Sequence, residues 1–147
     1  MIVTLLWFYV PSEGLASATP NALIVIGCLA GGDGFADIIG RKFGKWKYNF
    51  GGSEKSMEGS IGMFLGSLLF CLLLVTMLGF EVSAWNIATF IVPLVIISFI
   101  AMVIEAISPK NLDNWTITIS VVLMLLVMNA VAPDFWPFPL FGGSILG

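Results

Sequence analysis

Apolar residues run in long blocks along this chain, and polar residues punctuate them at a few places. Four blocks are each about 18–22 residues long, the length a helix needs to cross the ~30 Å hydrocarbon core of a bilayer. They run from about Asn21 to Gly40, Gly59 to Phe80, Trp85 to Ala106 and Trp115 to Ala132. None alternates over about ten residues as a transmembrane β-barrel strand does. A bilayer offers no water to the backbone, so each segment must satisfy its own N–H and C=O groups, which selects helices. The pattern predicts an all-α, polytopic transmembrane bundle of four full spans. A shorter run, MIVTLLWFYV, opens the chain and ends at Pro11. Ten helical residues rise only about 15 Å. The run therefore reads as a partial N-terminal span, with a short re-entrant or interfacial segment as the alternative. On this reading residues 1–147 form a single membrane domain that lacks N-terminal helices of a larger fold.

Composition agrees with a bilayer environment. The chain is 59% apolar and 10% charged, against about 45–50% and about 25% in soluble domains. A soluble fold of this size could not hide so much apolar surface. The net charge of -3 and the lack of a long basic run argue against nucleic acid as a partner. There is no histidine, which excludes Ser-His-Asp and Cys-His nucleophile systems and His-based zinc sites. Cys28 and Cys71 stand alone in apolar blocks with no metal-ligand spacing and read as packing residues.

Charge sets the orientation. Arg41, Lys42, Lys45, Lys47 and Lys55 separate the first and second blocks, and Lys110 separates the third and fourth. The other connections carry Glu13, Glu81 and Asp134. All six basic residues fall on one side, which the positive-inside rule makes cytoplasmic or its organellar equivalent. Trp85, Trp115 and Trp136 stand near block ends, where an interfacial belt would place them.

Three polar clusters could carry chemistry, and the topology puts all three on that same face. The first is GGDGFADIIGRKFG, Gly31 to Gly44. Asp33, Asp37 and Arg41 recur every four residues and share a helix face. Carboxylates near hydrocarbon are costly unless paired, neutralised or wetted. Two on one face fit magnesium, which is held by one or two carboxylates plus phosphate oxygens and water. Ion pairs to Arg41 and Lys42 are the bland alternative. Gly31, Gly32 and Gly34 either break the helix, so that free N–H groups at Asp33 face a phosphate, or permit close helix contact. The second cluster is SEKSMEGS, Ser53 to Ser60. Lys55 suits phosphate oxygens, Ser56 supplies a hydroxyl, and Glu58 adds a carboxylate. The alternative is an ordinary helix start capped by Ser53. Gly62 and Gly66 form a GxxxG packing seam. The third cluster, EAISPKNLDN, brings Glu105, Asp113 and Asn114 to the same face, unless it is a solvated loop.

GGDGFADIIGRKFGKWKYN followed by KSMEGSIGMF resembles the phytol kinase branch of the polyprenol kinases, and more distantly the dolichol kinases. The order is Asp-x-x-x-Asp, Gly-Arg-x-x-Gly, then Lys-Ser-x-x-Gly-Ser. Glu105, Asp113 and Asn114 resemble the family's later Glu and Asp-Asp-Asn-Leu-Thr element, with Leu112 and Trp115 as departures. The resemblance implies phosphoryl transfer from CTP to an isoprenoid alcohol, with Mg2+ on Asp33 and Asp37. It implies a nucleotide site at Gly32, Gly34, Gly40, Arg41, Lys55, Ser56, Glu58 and Gly59. Asp37 or Glu105 is the candidate base, and Lys55 acts on the phosphates. Asp113 and Asn114 complete the site. Phosphatidate cytidylyltransferases share Gly40-Arg41, Phe43-Gly44-Lys45 and Glu58-Gly59, so CTP-dependent cytidylyl transfer is the second reading. Asp37 stands where those enzymes carry Tyr, and their His-containing element has no counterpart. A non-catalytic membrane scaffold is the third. The partners implied are CTP, a lipid alcohol and membrane lipids, with oligomeric state open.

The topology is directly testable. Cysteines introduced at positions 47 and 110 should be labelled from one side of intact vesicles and one at position 81 from the other. Labelling of 47 and 81 from the same side would refute the span assignment.

Overall fold

The computed structural model describes residues 20–50, 52–77, 87–109, 112–133 and 136. The N-terminal apolar run, Glu13, Glu81, Trp85, Lys110 and Asp134 lie outside the described residues. Among the described residues four helices are long and apolar enough to cross a membrane: α1 (Asn21–Phe43), α2 (Met57–Met77), α3 (Ile87–Ile107) and α4 (Asp113–Val131). The four predicted blocks are therefore present. A small antiparallel hairpin, β1 (Lys47–Phe50) and β2 (Ser53–Ser56), joins α1 to α2.

Helices α2, α3 and α4 are apolar on nearly all sides, as membrane spans are, whereas the second half of α1 carries Asp33, Asp37 and Arg41 on one face. In α4, Ile117, Val121, Leu125 and Met128 face the bundle, while Ile119, Leu123, Val127 and Val131 face outward. In α2 the outward row is Ile61, Leu65, Leu69, Leu73 and Met77, one residue per turn. Four-residue steps keep each row on one side. The outer rows have no polar partner to seek and suit lipid.

Glycine governs the packing of α1 against α2. A β-carbon at Gly66 would lie 2.5 Å from the Gly31 carbonyl oxygen and 2.7 Å from Phe35 Cβ. One at Gly62 would lie 2.9 Å from the Phe35 carbonyl oxygen, and one at Gly59 would lie 3.1 Å from that of Ala36. The small-residue seam read from Gly62 and Gly66 is thus real, and it extends to Gly59. The partner face of α1 is equally bare. A β-carbon at Gly27 would lie 2.5 Å from Cys71 Sγ, and side chains at Gly31 and Gly32 would run into Phe70, and into Ser67 and Met63. Cys28 and Cys71 are buried here, with their sulfurs 3.9 Å apart.

Two expectations about local structure are corrected. The glycines before Asp33 do not break the helix. Gly27–Gly32 winds as a π-helix and Asp33–Phe43 continues as α-helix, with Gly32 itself helical. Asp33 N–H donates to Ala30 C=O, so α1 presents no new N-terminus there. Glycine costs helix stability, and the wider π-turn is one way a helix accommodates such a stretch. The segment from Ser53 is a strand rather than a helix start, and α2 begins at Met57. Its cap is Ser56, whose Oγ accepts the Gly59 N–H at 3.1 Å. Trp136 is also no interfacial anchor. It is fully buried, stacks on Phe90 at 6.2 Å, and donates its indole N–H to Asn21 Oδ1 at 3.0 Å. Trp115, 68% exposed at the start of α4, does suit an interface.

The seam yields a contrast between two glycines of α1 and α2. Gly66→Ala should destabilise the bundle by about 1–3 kcal/mol, because the two backbones must separate. A β-carbon at Gly34 meets nothing within 4 Å, so Gly34→Ala should stabilise α1 by up to about 1 kcal/mol. Unfolding in mixed micelles measures both. Equal effects of the two substitutions would contradict this packing.

Candidate functional site

The charged residues collect at one end of the bundle because two chain connections, α1 to α2 and α3 to α4, meet there. The C-terminal half of α1 brings Asp33, Asp37, Gly40 and Arg41. The hairpin follows, and the last turn of α3 and first turn of α4 bring Glu105 and Asp113. Together they line an open pocket of about 960 Å³. Gly44, Ser56, Gly59 and Ser60 form its floor where α1 crosses α2, and Lys47, Asn49, Gly52 and Glu54 form its hairpin wall.

The hairpin explains why Lys55 points inward. Its register pairs Tyr48 with Lys55 and Phe50 with Ser53, leaving a two-residue turn in which Gly52 has φ +81°. Such turns favour glycine, which takes positive φ at no steric cost. Lys47 and Glu54 bridge the strands at 2.7 Å on the exposed side. The hydrogen bond and charge of Lys47 hold the Glu54 carboxyl below the usual carboxylate range. The hairpin is fastened to the helices at several points. Tyr48 Oη and Ser60 Oγ are 2.6 Å apart, Ser53 Oγ donates to the Ser108 carbonyl at 3.4 Å, and Met57 N–H donates to the Trp46 carbonyl at 2.9 Å.

The central contact of the site is an ion pair between Lys55 Nζ and Glu105 Oε1 at 2.6 Å, with the two side chains only 12% and 10% exposed. Lys55 also donates to the Glu105 main-chain carbonyl. Lys55 is therefore a fixed cation rather than a mobile one, and Glu105 is its anchor. Asp37 is paired as well: Arg41 Nε donates to its Oδ1 at 2.6 Å, and both side chains are exposed. This is the α1 ion pair weighed as the bland alternative, for one of the two aspartates. Asp33, half-buried, and Asp113 enter no ion pair among the described residues. The charges of Asp113, Glu105 and Asp37 all repel that of Asp33, and Lys55 opposes them. The pocket is thus crowded with carboxylates whose nearest cations are already engaged.

Most residues selected from the sequence meet here: Asp33, Asp37, Gly40, Arg41, Lys55, Ser56, Gly59, Glu105 and Asp113. Four stand apart from the pocket lining. Gly32 is buried against Met63 and Ser67, and Gly34 faces open space. The Glu58 carboxylate accepts the Trp46 N–H at 3.3 Å and steadies the approach to the hairpin. Asn114 is exposed, with its N–H on Asp113 Oδ1 at 3.0 Å. The sequence reading missed the hairpin wall and the Tyr48–Ser60 contact. The signal was there: KYNF and SEKS flank Gly51-Gly52, a short glycine turn between two strand-length segments.

The fold and site together define a polytopic helical membrane protein with an acidic, lysine-bearing pocket at one end of its helices. Comparison with curated proteins gives that class its relatives. The chain is 32% identical over 110 residues to a probable phytol kinase 1, chloroplastic, of Oryza sativa subsp. japonica, covering 73% of this chain and 34% of the relative. It is 32% identical over 110 residues to phytol kinase 1, chloroplastic, of Arabidopsis thaliana, covering 71% and 35%. It is 37% identical over 109 residues to farnesol kinase, chloroplastic, of Arabidopsis thaliana, covering 70% and 34%. These homologues bear out the resemblance to the phytol and polyprenol kinase family. The aligned part is about a third of the length of each of these relatives. No family profile and no solved structure matches the chain.

The buried ion pair gives a thermodynamic prediction. Lys55→Met alone should cost about 3–5 kcal/mol, because it strands the Glu105 carboxylate. Lys55→Met combined with Glu105→Leu should recover most of that loss. A double-mutant cycle in micelles measures the coupling, and strict additivity would show that the pair does not form.

Proposed function

We propose that this pocket binds the triphosphate of CTP and transfers its γ-phosphoryl group to an isoprenoid alcohol, in a protein that crosses the membrane several times. The observation that carries the reading is the meeting of Asp33, Asp37, Lys55, Glu105 and Asp113 in one pocket at the helix ends. The names of the homologues, phytol kinase and farnesol kinase, supply the acceptor class. CTP and the cytoplasmic-equivalent placement of the pocket rest on the motif resemblance and the positive-inside rule.

Phosphoryl transfer asks for positioning and charge stabilisation more than for covalent chemistry. Lys55, held by Glu105 in a half-dry setting, places one ammonium where phosphate charge develops. It has one donor to spare beyond the two that Glu105 takes. The donor set also fits magnesium. Asp33 and Asp37 are one turn apart on α1, and Asp33 is surrounded by like charge with no cation of its own. These two would hold the ion, which when bound neutralises the triphosphate. Binding would require Asp37 to share or release Arg41, freeing that guanidinium for a phosphate oxygen. The Glu105–Lys55 pair is nearly buried and the Asp37–Arg41 pair exposed, so Asp37 is the more accessible of the two candidate bases, and in that role Asp33 would be the carboxylate that holds the ion. The depth is right for the acceptor, since its hydroxyl emerges at the membrane surface while its tail stays among the spans.

The decisive assay uses full-length protein in membranes, with CTP labelled either at the γ-phosphate or in the base. Label should pass to a prenyl alcohol from the γ-phosphate, with CDP released. Label arriving from the base, with pyrophosphate released, would assign the pocket to cytidylyl transfer instead, and no nucleotide turnover at all would leave the scaffold reading. Asp37→Asn, at an exposed position, should fold normally and lose turnover by about 100-fold or more, the scale of removing one electrostatic element from such a site.

A further inference from the structure

A second, smaller cavity of about 310 Å³ opens on the outer side of the α3–α4 junction. Its walls are Ile104, Ile107 and Ile119, and its polar atoms are the hydroxyls of Ser108, Thr116 and Ser120. Both cavities are built from the same two helix ends. On α3, Glu105 lines the charged pocket, while Ile104 and Ser108 line the apolar one. On α4, Asp113 lines the first and Thr116 the second, one turn apart. The partition is thin. Ser108 Oγ and Thr116 Oγ1 are 2.6 Å apart, and the Ser108 carbonyl receives Ser53 Oγ from the strand that carries Lys55.

We infer that this groove seats the hydroxyl-bearing end of the isoprenoid alcohol. The inference rests on the kinase reading of the charged pocket and adds the acceptor's place to it. The setting matches an amphipathic chain end. Ile107 and Ile119 are 47% and 53% exposed on the outer faces of α3 and α4, so a lipid can enter sideways from the bilayer. Ser108 and Thr116 lie at the end nearest the charged pocket, Ile119 and Ser120 lie a turn further along α4, and the outward apolar row continues beyond them through Leu123 and Val127. Apolar contact holds the tail, and a few convergent polar groups orient the head, the usual division of labour in a small-molecule site. The partition between the cavities is the hydroxyl pair itself. An alcohol oxygen could hydrogen-bond Ser108 Oγ or Thr116 Oγ1, which also bond the carbonyls of Ile104 and of Leu112 and Asp113, and would stand within about one helical turn of Glu105. A nucleotide triphosphate has no such match to the groove, which presents no cation among the described residues.

Photolabelling with a diazirine analogue of farnesol tests the assignment without needing turnover. Full-length protein in phosphatidylcholine nanodiscs is irradiated with no nucleotide present, and the labelled residues are mapped by mass spectrometry. Label should fall on Ile104, Ile107 or Ile119 and should be displaced by unlabelled farnesol. Ile119→Trp, which fills the groove, should raise the farnesol concentration for half displacement by about tenfold or more. Leu69→Trp, on the outward row of α2 and 55% exposed, should leave it unchanged. Label outside the groove would overturn the inference, as would groove label that farnesol does not displace, which would mark ordinary lipid contact. The kinase reading fails separately. Displaceable groove label without phosphorylation of any alcohol would refute kinase activity and leave the binding site standing, whereas phosphorylation with label elsewhere would do the reverse.

Discussion

Helices α1 and α2 approach closely along a row of glycines. Main-chain carbonyls of Gly31, Phe35 and Ala36 lie where β-carbons of Gly66, Gly62 and Gly59 would be, while Phe70, Met63 and Ser67 of α2 fill the space against Gly31 and Gly32. Inside a bilayer there is little hydrophobic gain from bringing helices together, so association relies on such close packing. The rest of the structure depends on this seam. It carries the aspartate face of α1 up beside the start of α2, and it leaves a short connection that a tight hairpin can span. Where the seam ends, at Gly40, Gly44 and Ser56, the charged pocket begins.

Electrostatics complete the arrangement. Carboxylates are expensive near hydrocarbon, and the described structure deals with them in two ways. Glu105 and Asp37 have partners in Lys55 and Arg41. Asp33 and Asp113 enter no ion pair among the described residues, and both line the open pocket. A buried ion pair is weak evidence for stability in itself. The Lys55–Glu105 pair makes more sense as a register pin. It fixes the hairpin against the end of α3 and holds one cation at the edge of an acidic cluster.

The spans were legible because hydrophobic blocks of about 20 residues have few alternatives in a bilayer. The clustering of Asp33, Asp37, Lys55, Glu105 and Asp113 was legible because the positions of charges along the spans force them to one end. Local geometry was not. The string GCLAGGDG contains enough glycine to read as a break, yet tight contact with Phe70, Met63 and Ser67 keeps it helical, as a π-turn. Ser53 and Ser56 are equally good capping residues by type. Only the strand pairing, which needs Tyr48 opposite Lys55, selects Ser56. Trp136 looked like a belt residue from its position near a span end, but its partners Asn21 and Phe90 lie far away in sequence. Long-range partners of this kind leave no local signature.

Under the proposed function, the acidic pocket is a divalent-cation and triphosphate site organised around Asp33. Manganese binding followed by electron paramagnetic resonance tests it directly, in full-length protein with and without CTP. One Mn2+ should be immobilised in the presence of CTP, and Asp33→Asn should weaken that binding by at least about tenfold, because such ions are held by only one or two carboxylates besides the phosphates. Folded Asp33→Asn protein that binds Mn2+ and CTP like the parent would contradict the account.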